Sequence, residues 1–291
     1  MNNDPSIRKI FMISGGRTAT MLFGNRLSEY FPEIFSIHEP DRLTLDFSDF
    51  GGLFRSLLHQ GIFRMGVLKS LGFAGTRNLS LKVILGKISQ EGIESWFNAD
   101  RTFINFKQEI YFEANAQLFG VGEELLLLPN SRVVFVLRDP NDWIQSWMKK
   151  HWYSETDWFW KYGVLGFKSL TPNNVGVECD EWSEFNRVER LAWVWGFLAE
   201  RFINIEKKHA DQCVVLRYED LIGSGVAPAS VQKKFLSLVL GRTFAIDDMQ
   251  RYEEMITKVV NPGVGSKAKI TLPNWFKEQY GTILKQYDYY E

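Results

Sequence analysis

Two arginines in this chain lie just after apolar runs and have hydroxyl side chains close by. Arg17 lies in Ser14-Gly15-Gly16-Arg17-Thr18-Ala19-Thr20, after the run Ile10–Ile13. Arg138 follows Arg132–Leu137 and precedes Asp139-Pro140, with Ser146 eight residues on. Both patterns suit an anion. Backbone N–H groups in a tight glycine turn and at a helix N-terminus point at a negative oxygen, and the helix dipole adds a favourable field. A guanidinium at a strand end and a helix hydroxyl leaning back toward the helix start can hold one phosphate from two sides. The same residues also have plainer readings. Gly-Gly after a strand is a common turn, and Arg138 can equally pair with Asp139 or Asp142. A Walker A sequence is absent, because no Gly-Lys-Ser/Thr follows at the required spacing.

Proton transfer needs a different kind of residue, and Ile34-Phe35-Ser36-Ile37-His38-Glu39-Pro40-Asp41 offers it. A strand ending at Ile37, beside the first strand if the order is typical, would deliver His38 and Glu39 to its carboxyl end. Glu39 is a carboxylate base; His38 is its rival, with an unperturbed pKa nearer neutrality. Pro40 biases Glu39 to an extended backbone. As plain structure, Glu39 and Asp41 are caps and His38 a packed turn residue. A further cation, Lys107, follows Thr102–Phe106, read as a central strand that would present Lys107 at its end; its plain reading is an ordinary strand-end lysine.

The elements that position these groups follow from periodicity. Strand-like runs occur at Lys9–Ile13, Ile34–Ile37, Thr102–Phe106, Arg132–Leu137 and Cys213–Arg217, with helical spacing between them. Asp180–Lys208 reads as one long helix, and Phe244–Asp248 opens another that Asn261-Pro262-Gly263 would end. Strands alternating with helices predict an α/β fold with a parallel sheet and helices on both faces. Ligands in such sheets sit beyond the carboxyl ends of the strands. Residues 1–291 read as one domain, with 51–100 as a helical insert. Gly51–Gln90 carries Arg55, Arg64, Lys69, Arg77, Lys82 and Lys87 and no acidic residue. It is either a solvated basic face, an anion-attracting lid over the acceptor, or a peripheral membrane patch.

Composition bounds the rest. The chain has 291 residues, 45% hydrophobic and 24% charged, with formal net charge −1, so no charge excess argues for nucleic acid. Two cysteines, Cys179 and Cys213, are too few for a metal cluster or disulfide framework. The N-terminus lacks a signal-peptide pattern, and no apolar run reaches membrane-spanning length; a cytoplasmic protein is the expectation. Aromatic residues make up 15%, ten of them Trp, many in His151–Phe167. That block is either packed subsurface or an apolar acceptor pocket.

Taken in order, Ser14–Thr20, Leu137–Ser146 and Val214–Leu221 resemble the three landmarks of sulfotransferases that use 3′-phosphoadenosine-5′-phosphosulfate (PAPS). Gly15, Gly16, Arg17, Thr18, Ala19 and Thr20 correspond to the 5′-phosphosulfate loop, Arg138 and Ser146 to the 3′-phosphate motif, and Tyr218 to a tyrosine near the adenine. The resemblance implies a P-loop-like fold and sulfonate transfer from PAPS to a hydroxyl or amine, releasing 3′,5′-bisphosphoadenosine (PAP), with no metal required. Glu39 matches the catalytic glutamate of the glycan-type branch; Arg17, His38 and Lys107 are the other candidates for the chemistry. Lys267, in Val264–Ile270, falls where relatives carry a basic loop closing over the nucleotide. Implied acceptors are a glycan, a lipid or a natural product. Two departures stand out: Ala19 replaces the family's usual glycine, which calls for a negative φ there, and Met21 replaces a frequent threonine. A P-loop nucleotide kinase and a non-catalytic scaffold of the same fold are the alternatives.

Overall fold

The computed structural model describes residues 5–40, 75–101, 104, 106–150, 153, 168–257 and 270–289. Five strands, β1 (Arg8–Ser14), β2 (Ile34–His38), β3 (Ile110–Ala114), β4 (Ser131–Leu137) and β5 (Cys213–Arg217), form one sheet in the order β2-β3-β1-β4-β5. All four pairings are parallel. The longer helices are α1 (Thr20–Tyr30), α2 (Gly75–Ile84), α3 (Gln90–Arg101), α4 (Pro140–Met148), α5 (Arg187–Lys208), α6 (Val226–Leu240), α7 (Ile246–Thr257) and α8 (Asn274–Gln286).

Successive side chains of a strand point to opposite faces, and here both faces are apolar. Phe11, Ile13, Tyr111, Val133 and Phe135 pack with α3, α5 and α8 on one side. Ile10, Met12, Phe112, Val134 and Val214 pack with α1, α6 and α7 on the other. This is the expected P-loop-like α/β arrangement, a parallel sheet flanked by helices on both faces.

Three sequence expectations are corrected. The third strand is Ile110–Ala114, not Thr102–Phe106; Ile104 and Phe106 lie outside any strand, and Thr102, Phe103 and Asn105 lie outside the described residues. The true strand is masked in sequence by Glu113, a carboxylate in the middle of an apolar run. It is tolerated because Arg101, at the end of α3, donates Nε and Nη2 to its two oxygens at 2.9 and 2.6 Å. Tyr111 and Asn115 donate to it as well, at 2.6 and 2.9 Å. Arg101, Glu113 and Asn115 are each fully buried. Burial by itself would raise the Glu113 pKa, but the Arg101 charge and these hydrogen bonds together hold it below the usual carboxylate range.

Second, Asp180–Lys208 is not continuous. A short 3₁₀ turn spans Asp180–Ser183, and α5 begins only at Arg187. Asn186 forms a capping box with Glu189 there, a stronger start than any residue upstream offers. Third, β2 is not beside β1, because β3 lies between them. Asp41, residues 51–74, most of the aromatic block, Asn261–Gly263 and Lys267 lie outside the described residues.

Candidate functional site

β1, β4 and β5 bring Ser14–Thr20, Arg138 and Tyr218 together at the carboxyl edge of the sheet. The opening loop curls sharply: Gly16, Arg17 and Ala19 have φ of +79°, +59° and +51°, and Thr18 between them does not have positive φ. Neighbouring residues of opposite hand turn their N–H groups to one side as an anion-binding concavity, and φ changes sign twice across Arg17–Thr18–Ala19. Ala19 thus does not take the negative φ anticipated for it, and the family's glycine would suit the position better. A non-glycine residue in this region costs roughly 1–2 kcal/mol, and such strain gathers at functional sites. α1 starts from Ala19 with no side-chain cap and no acidic residue in its first turn, so nothing internal neutralises its N-terminal N–H groups. Met21 is 62% exposed on that first turn.

Neighbouring helices clamp this loop. A Cβ on Gly15 would lie 3.2 Å from Trp143, and one on Gly16 would lie 2.9 Å from Trp147, so the backbone rests directly on two indoles of α4. Gly16 also donates its N–H to Ser14 Oγ (3.1 Å). Asp139 caps α4, accepting from the N–H groups of Asn141 and Asp142, and Pro140 occupies the first turn. At the other end of α4, Arg187 donates to the carbonyls of Trp147 and Met148, both at 3.1 Å, and of Lys150. This is a cation on a helix C-terminus.

The two arginines form one network. Arg17 is exposed and donates Nε to Ser146 Oγ (2.8 Å), while Arg138 donates Nη1 to the Arg17 carbonyl (3.0 Å). The Arg138 guanidinium stacks 4.9 Å above the Tyr218 ring and lies 3.7 Å from Asp142, so the ion-pair reading holds for it. Burial raises the Tyr218 pKa. Thr18 is 2% exposed, and its hydroxyl has no hydrogen-bond partner; neither has the buried Arg138 Nε. Both residues line the same cleft, with Gly15, Trp143 and Trp195. An orphaned buried donor costs about 1–3 kcal/mol; this cleft is water-sized and mostly apolar, whereas the exposed Arg17 guanidinium, the Ser146 hydroxyl and the curled loop form the side open to an anion. The donors therefore fit a phosphorylated cofactor.

His38 and Glu39 leave β2 at the same sheet edge. Gly24 of α1 makes this possible, since a Cβ there would come within 2.7 Å of the His38 backbone. Glu39 has φ +39°, not the extended backbone that Pro40 favours, because its N–H continues the ladder to the Ala114 carbonyl at 3.0 Å. His38 Nδ1 lies 3.2 Å from that same oxygen, and His38 Nε2 lies 3.9 Å from Glu39 Oε2. A carbonyl accepts only, so a neutral His38 carries its proton on Nδ1 and turns Nε2 toward Glu39. Lys107 is not here. It precedes β3, exposed at the opposite, amino edge of the sheet, and drops out of the site.

Four residues of the site have no evident signal in the sequence reading. Trp143 and Trp195 bond to loop carbonyls. Glu219 accepts the Asp139 N–H at 2.9 Å, and Tyr289 brings its hydroxyl to Glu219 Oε2 (3.1 Å) and to the Leu137 carbonyl (3.2 Å). One hydroxyl proton cannot serve two acceptors fully. Burial pushes the Glu219 pKa up, and a protonated Glu219 supplies the missing donor. A raised native pKa stabilises the fold most below the unfolded carboxylate value, and that contribution is lost as pH rises through the native one. Glu219→Gln, which mimics the neutral acid, should therefore raise the urea midpoint at pH 8 relative to the natural protein. The gain should shrink toward pH 4.5. Urea unfolding at both pH values checks this.

No protein-family model matches the chain, and no curated protein matches it. Among solved structures the chain is similar to a "Sulfotransferase Domain from the Curacin Biosynthetic Pathway", at 16% identity, over 95% of this chain and 97% of that one, with a TM-score of 0.48. Among the described residues, no helix is long and apolar enough to cross a membrane.

Proposed function

We propose that this protein is a sulfotransferase, moving a sulfonate from PAPS to a hydroxyl or amine of a small-molecule acceptor (a glycan, lipid or natural product) and releasing PAP. The observation that carries the reading is the meeting at one sheet edge of the sharply curled Gly16–Ala19 loop, the uncapped start of α1 and the Arg138–Arg17–Ser146 network. PAPS, when bound, supplies the activated sulfonate. Arg17, Thr18, Thr20 and the N–H groups from Arg17 onward would face its 5′-phosphosulfate, Arg138 and Ser146 its 3′-phosphate, and Tyr218 its adenine. Arg17 stabilises charge that grows on the leaving phosphate, the kind of donor whose removal costs ~10²–10³ in rate. Glu39 takes the acceptor proton, in the manner of the glycan-type enzymes. Residues 51–100 serve as the acceptor-side insert of a single domain.

Arg138→Ala should lose about 2–4 kcal/mol of PAP affinity, the scale for truncating one side of a desolvated charge pair. Isothermal titration of both proteins with PAP, and with ATP plus magnesium, tests it. Unchanged PAP affinity in the variant, or binding of ATP in preference to PAP, would overturn the reading; the second outcome would favour the kinase.

A further inference from the structure

Two buried indoles have no part in the chemistry above, yet each gives its N–H to a carbonyl of an anion motif. Trp143 Nε1 donates to the Gly16 carbonyl at 3.0 Å, and Trp195 Nε1 to the Arg138 carbonyl at 2.9 Å. Both side chains are deeply buried, at 3% and 2% exposure. They come from different helices, α4 and α5, and reach the two motifs from behind.

Carbonyl oxygens repel an anion, so a loop that binds one must turn its carbonyls away. In a trans peptide the C=O and the following N–H point in opposite directions. Holding the Gly16 carbonyl against Trp143 therefore turns the Arg17 N–H away from α4. The Arg138–Asp139 peptide is gripped at both ends, by Trp195 on the oxygen and Glu219 on the N–H. That grip fixes the backbone from which the Arg138 side chain departs. Indole is a donor only, so it cannot flip its role when the charge nearby changes.

We propose that Trp143 and Trp195 are positioning residues: by holding these two carbonyls back, they aim the opening-loop amides and the Arg138 guanidinium at the nucleotide phosphates. The inference rests on the PAP site proposed above. A packing role alone predicts lower stability with PAP affinity unchanged; the positioning role predicts lost affinity in a folded protein.

The test titrates PAP into the natural protein, Trp143→Phe, Trp195→Phe and Trp96→Phe, with urea unfolding of each. Trp96 is a buried indole in α3 whose N–H has no partner, so its replacement by Phe removes ring area without deleting a hydrogen bond and keeps an aromatic face under Arg101. The Trp143 and Trp195 variants should bind PAP about three- to tenfold more weakly, as expected for one lost neutral hydrogen bond each. Trp96→Phe should bind as the natural protein does. If Trp143→Phe does not fold, replacing Trp143 with 3-benzothienylalanine keeps the ring shape and deletes only the donor. Natural PAP affinity in the folded Trp143 and Trp195 variants, with Arg138→Ala weakened, would overturn this inference alone. No PAP binding by the natural protein would overturn it together with the site reading.

Discussion

Glu39→Gln is expected to keep natural PAP affinity and to lose ~10²–10⁴ in single-turnover sulfation of an acceptor alcohol, the usual worth of a positioned general base. Glutamine preserves size and hydrogen bonding but cannot take the proton. The sheet order makes the geometry reasonable. With β3 between them, β2 and β1 lie about 10 Å apart. An in-line transfer needs room between base and leaving group for an acceptor oxygen about 3 Å from each neighbour. His38→Ala is the companion variant, because Nε2 of His38 faces the same carboxylate. Near-natural turnover in Glu39→Gln with collapse in His38→Ala would move the base to His38. Natural turnover in both would remove this turn from the chemistry.

The largest effect on stability is expected at the buried ion pair. Glu113→Ala or Arg101→Ala leaves one charge enclosed without its partner and should cost about 3–5 kcal/mol. That is a large share of the 5–15 kcal/mol typical of a domain. The double variant Arg101→Met/Glu113→Leu should recover most of the loss, since a packed apolar pair needs no compensation. A double-mutant cycle in urea measures this; single variants costing under about 1 kcal/mol would contradict it. The pair ties α3, at the end of the basic insert, to β3, and Asn115 just after that strand caps the 3₁₀ turn Ala116–Leu118 beside Gly16.

Much of this was legible in sequence. Four of five strands, the Gly-Gly turn and the Asp139-Pro140 helix start are local patterns, and local patterns survive into the fold. What escaped was written in contacts far apart along the chain. Glu113 hides a strand because its partner Arg101 lies across a turn and in another element. Tyr289 reaches Leu137 and Glu219 from the far end of the chain, with no periodicity to announce it. Lys107 misled because the strand was placed several residues too early, which moved the lysine from one edge of the sheet to the other.

The strand order also constrains how the molecule comes to be made. β1, the central strand, is synthesised well before the strands that flank it, for Arg8 pairs with Ile110 and Lys9 with Ser131. Both partners lie more than a hundred residues downstream. At translation speeds of about 5–20 residues per second, β1 waits roughly 5–20 s for its neighbours. Parallel pairing over such distances closes long loops before it gains contacts, which slows folding further. During that interval the apolar run Ile10–Ile13 has no sheet to join. A nascent chain stopped before Leu137 cannot assemble the centre of the sheet, so the ribosome-bound segment that carries β1 should be a ready client for chaperones that shield extended apolar segments.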